Sequence, residues 1–383
     1  MKRYVIVGAG ASGLVASILL KKKHEDAEVL LLEQNDVYGK KLRTTGNGRC
    51  NIAPLKDDAD TYNNKVFVER LFKEISLEEY LKSLEDLGIG VMNLKDQGFY
   101  PISLSANNVA DILVNNAKSL GVVLIKDIFV DYVINDEIIT VKGDVASYQC
   151  NKLILALGSN SGLSNKPIVK IDHGYKYSKF RPGLTAIKVF TNLHSLKDMR
   201  VQCSVSLVKG KKSFYREKGE VIFKEDGLSG ICVMNCTNYI EEPYSDYLIV
   251  LNMWERPNVN VSFEMFDAQY KQLGNLESAL LSYFNKLFIR WYLKGIEGNV
   301  DTWKVYEELS HLSFRVKTIE DFVRSQVTKG GLSVDEIDDK SFESKKEKNV
   351  YFLGEMLDIN GLCGGYNLRF AITSAIALAK HIK

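Results

Sequence analysis

The chain has 383 residues, 45% hydrophobic and 26% charged, the balance of a globular protein with room for more than one domain. Fifty basic residues against forty-eight acidic ones leave a formal charge of +2, so there is no overall field of the kind that nucleic-acid binding uses. No apolar run approaches the roughly eighteen residues needed to span a bilayer, and the six cysteines form neither a CxxC pair nor a zinc-ligand spacing, so no membrane anchor, redox disulfide or metal is expected.

The first predicted strand, Tyr4-Val5-Ile6-Val7, opens within three residues of Met1. No secretory leader is therefore expected, and the cysteines read as free thiols of a reducing, cytoplasmic compartment. The strand is apolar and β-branched throughout, the pattern of a buried parallel strand. It runs into Gly8-Ala9-Gly10-Ala11-Ser12-Gly13, a full GxGxxG, then an apolar helix from Leu14 to Leu20 that ends in Lys21-Lys22-Lys23. A second strand, Glu28 to Leu32, closes on Glu33 and Gln34. In this order the parts have defined tasks. Gly8 allows a tight turn, Gly10 lets backbone approach a pyrophosphate, and Gly13 permits close helix–strand packing. The helix start at Ala11 and Ser12 offers N–H groups to phosphate, and Glu33 is placed for a ribose hydroxyl. Together they predict a dinucleotide-binding Rossmann unit.

After Glu33 comes Gly39-Lys40-Lys41-Leu42-Arg43-Thr44-Thr45-Gly46-Asn47-Gly48-Arg49-Cys50-Asn51, dense in glycine, cations and small donors. Such a loop suits a path along a long cofactor. Lys41, Arg43 and Arg49 are expected near phosphates or an anionic substrate, with Lys40, Thr45, Gly46, Asn47, Gly48, Cys50 and Asn51 along it. Further strands are predicted at Val122–Ile125 and Phe129–Val133, with Val130 close to an adenine. Another, Lys152–Leu155, leads into the small-residue turn Ala156-Leu157-Gly158-Ser159. From about Leu184 to Val259 short β-rich runs alternate with turns, including Val201–Leu207 and Tyr247–Asn252. From Phe263 to Phe322 the pattern becomes helical, including Leu276–Lys294. Near the C-terminus a buried strand, Val350–Leu353, ends in Gly354-Glu355-Met356-Leu357-Asp358. Gly364-Gly365-Tyr366-Asn367 then opens a helix running from Leu368 to Ile382. A strand delivering a carboxylate to a ribitol, and a glycine-preceded helix start facing a flavin ring, serve FAD and have no use in an NAD-only domain. The cofactor read from both chain ends is FAD.

With these residues assembled, the chain resembles the BaiN/YhiN-type family of NAD(P)/FAD-dependent oxidoreductases nearly end to end. The resemblance rests on Gly8 to Gly13, on the Gly39 to Asn51 block with Thr45-Gly46-Asn47-Gly48-Arg49-Cys50-Asn51 at its centre, and on Gly98-Phe99-Tyr100-Pro101. It continues through Gly219-Glu220-Val221-Ile222-Phe223, Gly227-Leu228-Ser229-Gly230 and Val327-Thr328-Lys329-Gly330-Gly331-Leu332. It ends on Gly354 to Asp358, Gly361 and Gly364 to Asn367. It implies an α/β fold in which a Rossmann-type FAD-binding domain is built from both chain ends and interrupted by an inserted β-barrel plus a small helical domain. The expected division is 1–185 and 327–383 for the FAD domain, 186–262 for the β-rich insert and 263–326 for a helical subdomain. Two places depart from the family pattern: Cys363 stands where Thr is common, and 166–177 keeps only His173-Gly174-Tyr175 of a glycine-rich stretch.

A second GxGxxG is absent, so NAD(P)H is expected to dock transiently over a tightly but non-covalently bound FAD. The expected activity is reduction of a small-molecule acceptor, such as an activated C=C bond, with NAD(P)H as donor. Arg49, Tyr100 and His173 are the candidates for an anion clamp or an acid. Two other readings are carried. One is an FAD-dependent RNA-modifying enzyme, for which Lys209 to Lys212 and Arg216 are the only sign of a basic face. The other is a non-catalytic flavin-binding regulator. No membrane or nucleic-acid partner is expected, and the oligomeric state is not legible.

Overall fold

The computed structural model describes residues 2–95, 97–159, 161, 169–294, 296 and 301–383, so 166–168 of the departing stretch lie outside the described residues. The chain divides into two compact units, residues 1–181 with 327–383, and residues 182–326.

The first unit is built on a five-stranded sheet in the spatial order Val350–Phe352, Lys152–Leu155, Arg3–Val7, Glu28–Glu33, Val123–Lys126. All four pairings are parallel; Val7 sits opposite Leu32 on one side and Leu155 on the other. Parallel strands covered on both faces must be apolar on both, and Val5, Ile6, Leu31, Leu153, Ile154 and Phe352 are fully excluded from solvent. The helix Ala11–Lys23 packs on both Tyr366–His381 and Ala106–Ser119. It is therefore buried almost all round, with Leu14, Val15, Ala16 and Ile18 inside. Lys21 to Lys23 form its last turn, where cations complement the helix dipole. Arg369, in Tyr366–His381, is fully buried. Its guanidinium lies between the rings of Phe72 and Tyr80, 4.4 and 4.3 Å from their centroids, and pairs in fork fashion with Asp57 at 3.1 and 2.9 Å. A three-stranded antiparallel sheet, Phe129–Asn135, Ile138–Gly143 and Ser147–Cys150, also belongs to this unit.

The second unit contains a closed six-stranded barrel: Ile187–Val189, Gly227–Ser229, Lys212–Phe223, Arg200–Lys209, Tyr247–Asn252, Leu312–Ile319. Between its last two strands in sequence stand the helices Phe263–Leu273, Leu276–Leu281, Lys286–Leu293 and Thr302–Ser310. Side-chain caps open all four, Ser262 Oγ accepting from Met265 N at 3.4 Å at the first. Asn275 Oδ1 accepts from Ser278 N at 2.7 Å, Asn285 Oδ1 from Leu287 N at 2.8 Å, and Asp301 Oδ1 from Trp303 N at 2.9 Å. Trp254 fastens these helices to the barrel. It is buried, its ring 4.9 Å from Phe284 and 5.0 Å from Phe266, and its Nε1 donates to the Tyr306 carbonyl at 2.9 Å. The stretch expected to be helical thus ends differently. Leu312–Ile319 is a strand that pairs with Tyr247–Asn252 and Ile187–Val189. Phe314 and Val316 are buried between exposed Ser313, Arg315 and Lys317, a period of two that a helix cannot use. No helix among the described residues is long and apolar enough to cross a membrane.

Candidate functional site

Arg3–Val7, Glu28–Glu33, Lys152–Leu155 and Val350–Phe352 run parallel, so the loops that follow them share one sheet edge, the edge where open α/β sheets bind ligands. Glycines at this edge divide into two kinds. A Cβ on Gly8 would come 2.3 Å from the Ala156 carbonyl oxygen, one on Gly13 1.9 Å from the Gly8 carbonyl oxygen, and one on Gly354 2.3 Å from Ser12 Oγ. At Gly8 and Gly13 backbone crosses with no room for a side chain, and at Gly354 the Ser12 side chain takes the space. Beside Gly10, Gly48 and Gly158, by contrast, nothing lies within 4 Å. Gly10 opens the helix Ala11–Lys23 without a side-chain cap, and the first intrahelical bond runs from Leu14 N to Gly10 O at 3.0 Å. The N–H groups of Ala11, Ser12 and Gly13 precede that bond and have no acceptor within the helix.

Glu33 ends its strand only 8% exposed. Its Oε2 accepts from Ala9 N at 2.8 Å, and its Oε1 from Asn35 N at 2.8 Å and Asn35 Nδ2 at 2.6 Å. The acid is thus aimed by the glycine loop and by Asn35, which the sequence reading passed over. Gln34 and Lys40 are exposed, Lys40 Nζ reaching Asn35 Oδ1 at 3.3 Å. Val130 is 58% exposed and sits at a bulge, because the ladder steps from Phe129–Gly143 to Asp131–Lys142 and leaves Val130 out of register.

The loop after Glu33 is anchored by Gly39 N, which donates to the Ala9 carbonyl at 2.8 Å. Leu42–Gly48 is wound tightly, with Gly46 at φ +57°, Asn47 at +53° and Gly48 at +81°. Cys50 N donates to the Thr45 carbonyl at 3.0 Å. Cys50 is fully buried, and burial pushes its thiol up to about 11, partly offset by its hydrogen bond with Thr45. Arg43, expected near phosphates, is instead held by Asp111 at 2.7 Å and the Tyr38 carbonyl at 3.0 Å.

The two most specific motifs meet. A Cβ on Gly365 would lie 2.7 Å from Asn51 Oδ1 and 2.7 Å from the Ala53 carbonyl carbon. Gly364 at φ +120° and Gly365 at +92° open the helix Tyr366–His381. Asn367 fastens the loop before it, accepting from Gly361 N at 2.9 Å and donating to the Gly361 carbonyl at 3.1 Å. The Tyr366 carbonyl accepts from Tyr62 OH at 2.7 Å. Asn51 Oδ1 is buried and has no hydrogen-bond partner. An orphaned acceptor beside this helix start, and unfilled space beside Gly10, match a long dinucleotide whose ring system carries N–H donors. The residues fit FAD.

Glu355 accepts from Lys41 Nζ at 2.7 and 2.6 Å and from Thr328 N at 3.2 Å, and Lys41 also donates to Ser159 Oγ at 3.2 Å. Leu157, in the turn that carries Ser159, is half-buried. Thr328 was not singled out as a site residue. Asp358 is engaged elsewhere, taking Asn63 Nδ2 at 2.8 Å and Ser178 Oγ at 2.5 Å. Of the acid candidates, Tyr100 is buried beneath exposed Arg49, whose guanidinium stands 5.5 Å from its ring centroid. His173 is tied on both sides: Nδ1 meets Glu347 at 2.8 Å and Nε2 meets Asp131 at 3.2 Å, and its ring packs 4.2 Å from that of Tyr132. It is a structural tie, with no ring nitrogen left for an acceptor.

The family profile for the HI0933-like protein Rossmann domain matches residues 2–381. The chain belongs to that family. Its members are FAD-dependent oxidoreductases with the Rossmann fold that the residues predict. Within this HI0933-like family, a 3-dehydro-bile acid delta(4,6)-reductase from Clostridium scindens is 28% identical over 407 residues, covering 97% of this chain and 96% of that protein. A ribosomal RNA dihydrouridine synthase from Haemophilus influenzae is 26% identical over 406 residues, covering 99% and 98%. Among solved structures, Escherichia coli quinol fumarate reductase shares the fold at a TM-score of 0.50 and 12% identity, over 99% of this chain and 70% of that one.

Proposed function

We propose that this family member is a cytoplasmic FAD-dependent reductase that uses NAD(P)H to saturate a carbonyl-conjugated C=C bond in a small molecule. The observation that carries the reading is the meeting of both chain ends, with Gly354 against Ser12, Gly365 against Asn51, and open space beside Gly10. Ala11 to Gly13 and Glu33 would hold the ADP part of FAD, and Thr45 to Asn51 with Gly364-Gly365 the flavin part. When bound, FAD supplies hydride transfer, which no side chain can. The chain's residues set the conditions for it. The start of Tyr366–His381 presents partial positive charge where electron density accumulates on reduction. Arg49 binds the acceptor's carbonyl or carboxylate oxygen, and Tyr100 beneath it fixes the guanidinium by a cation–π contact. The relatives' names support the reaction class, since one names a delta(4,6)-reductase and the other the making of dihydrouridine.

A second reading, reduction of uridine in ribosomal RNA, is favoured by the relative that spans 99% of the chain. Against it, part of the basic run is committed: Lys209 pairs with Asp246 at 2.9 Å, and Arg216 and Lys218 both face Glu255. The test is anaerobic reduction of the yellow protein by NADH or NADPH, followed by addition of a conjugated enone or of an unmodified ribosomal RNA transcript. Bleaching reversed by the enone supports the first reading, and bleaching reversed by the transcript alone supports the second. A flavin that neither nucleotide bleaches leaves a flavin-binding regulator, and a protein that takes up no FAD removes all three.

A further inference from the structure

Residues 39–51 carry four cations, and the fold gives three of them partners. Lys40 Nζ reaches Asn35 Oδ1 at 3.3 Å, Lys41 holds Glu355 at 2.6 Å, and Arg43 holds Asp111 at 2.7 Å. Arg49 is the fourth. Among the described residues no acid or other acceptor engages its guanidinium, which is exposed and stands 5.5 Å from the ring centroid of Tyr100. A merely solvated arginine extends into water, whereas this one lies over a tyrosine that is only 6% exposed.

Its place is beside the expected flavin. Two residues on, Asn51 lies against the glycines that open Tyr366–His381, and a Cβ on Gly365 would come 2.7 Å from Asn51 Oδ1. The strand Gly98–Pro101, which carries Tyr100, is tied to the same stretch. Ile52 N donates to the Phe99 carbonyl at 2.8 Å, and Phe99 N to the Ala53 carbonyl at 2.8 Å. Arg49 and Tyr100 therefore stand at the flavin end of the site. The pyrophosphate has donors of its own at the other end, the N–H groups of Ala11 to Gly13. Carboxylates of the adjoining segments are engaged elsewhere, Asp57 by Arg369 and Asp358 by Asn63 and Ser178.

We infer that the acceptor carries a carboxylate conjugated to its reducible C=C bond, and that Arg49 takes both carboxylate oxygens in its fork. This rests on the reductase reading above and narrows its substrate to organic anions. A neutral carbonyl offers a single oxygen and leaves the charge of the guanidinium unmatched. A carboxylate offers two parallel acceptors and the opposite charge, and such charge-assisted, paired bonds are the strong ones. The Tyr100 ring restrains the long side chain, so less freedom is lost when the anion binds. The helix start at Gly365 and Tyr366 adds partial positive charge to the same stretch.

Binding is tested apart from turnover. The probes are levulinate and its methyl ester, saturated keto compounds of similar shape that differ in charge, titrated by calorimetry into the oxidised, FAD-loaded chain. The acid is expected to bind at least about tenfold tighter than the ester. Arg49→Gln should erase that preference, and Arg49→Lys, which keeps the charge without the fork, should retain part of it. Both positions are exposed, so both variants are expected to fold and stay yellow. Equal affinity for acid and ester, a preference that survives Arg49→Gln, or an Arg49→Gln chain that no longer holds FAD overturns the inference. Turnover is then followed with acetylacrylate, the unsaturated form of levulinate, and its methyl ester. A chain that prefers the acid but is bleached by neither NADH nor NADPH keeps the carboxylate site and loses the reductase reading. One that reduces acetylacrylate and its ester with equal kcat/KM keeps that reading and loses the anionic substrate.

Discussion

Lys41 Nζ lies 2.6 Å from Glu355 Oε2, an ion pair between residues 314 positions apart, with side chains 26% and 19% exposed. It ties the loop after the second strand to the turn after the last one, so charge as well as sheet pairing holds the two chain ends together.

Removing one partner leaves the other half-buried without its counter-charge. Lys41→Met is expected to lower stability by about 2 kcal/mol and to weaken FAD binding about tenfold. Adding Glu355→Gln removes the stranded charge and should recover part of both losses. Urea denaturation and flavin fluorescence titration measure the two quantities, and a double variant no better than the single one shows that the pair is uncoupled.

The glycines predict a separation of folding from binding. Gly10 has extended backbone and free space beside it, so Gly10→Ala should fold with a melting temperature close to the parent in the flavin-free state, yet lose FAD. Gly13→Ala drives a methyl to 1.9 Å from the Gly8 carbonyl oxygen and should damage the fold itself. Thermal melts of the flavin-free proteins, set beside flavin retention on a desalting column, distinguish the two. A Gly10→Ala protein that stays fully yellow contradicts the assignment.

The buried pair of Arg369 and Asp57 is a stability element. Asp57→Asn strands the Arg369 charge between Phe72 and Tyr80, and Arg369→Met strands the Asp57 carboxylate, each at an expected cost of roughly 3–5 kcal/mol. Arg369→Lys should rescue little, because an ammonium cannot reproduce the fork or the stacking. Chemical denaturation midpoints decide it, and a loss below 1 kcal/mol, roughly that of an exposed pair, is the contrary result.

Glu347 predicts an acid-side dependence. Its burial opposes ionisation, but hydrogen bonds from Tyr132, Tyr175 and His173 outweigh that and hold the carboxyl below the usual glutamate range. A carboxylate with a depressed folded value contributes stability that is full above the unfolded value of about 4.3 and is lost as the pH falls through the folded value. Glu347→Gln should therefore be less stable near neutrality and show a shallower loss of stability on acidification. Parallel melts of both proteins across the acid range test it, and superimposable profiles refute it.

The Rossmann unit was legible because its signals are local. The GxGxxG turn, its flanking strand and helix, and Glu33 are set by residues within one βαβ unit, and Gly364-Gly365 before an apolar helix is equally short-range. The strand Leu312–Ile319 was readable in principle, since Phe314, Val316 and Ile319 are buried on its inner face. Its eight residues follow the helix Thr302–Ser310 directly, however, and the helical period of the longer stretch masked it. His173, beside a glycine, carries no sign of its fate, because its partners Asp131 and Glu347 stand 42 and 174 residues away.

By itself the amino-acid sequence determines the Rossmann unit, its cofactor class and the return of the C-terminal motif, since each is written in spacing along a strand or a helix turn. Only the tertiary structure decides which charge meets which. Lys41 finds Glu355 across 314 residues, Arg43 finds Asp111 across 68, Asp358 finds Asn63 across 295, and Arg256 is left with a buried, unpartnered Nε. Ion pairs and hydrogen bonds select their partners by distance in space, and a linear pattern of residue types does not contain that distance.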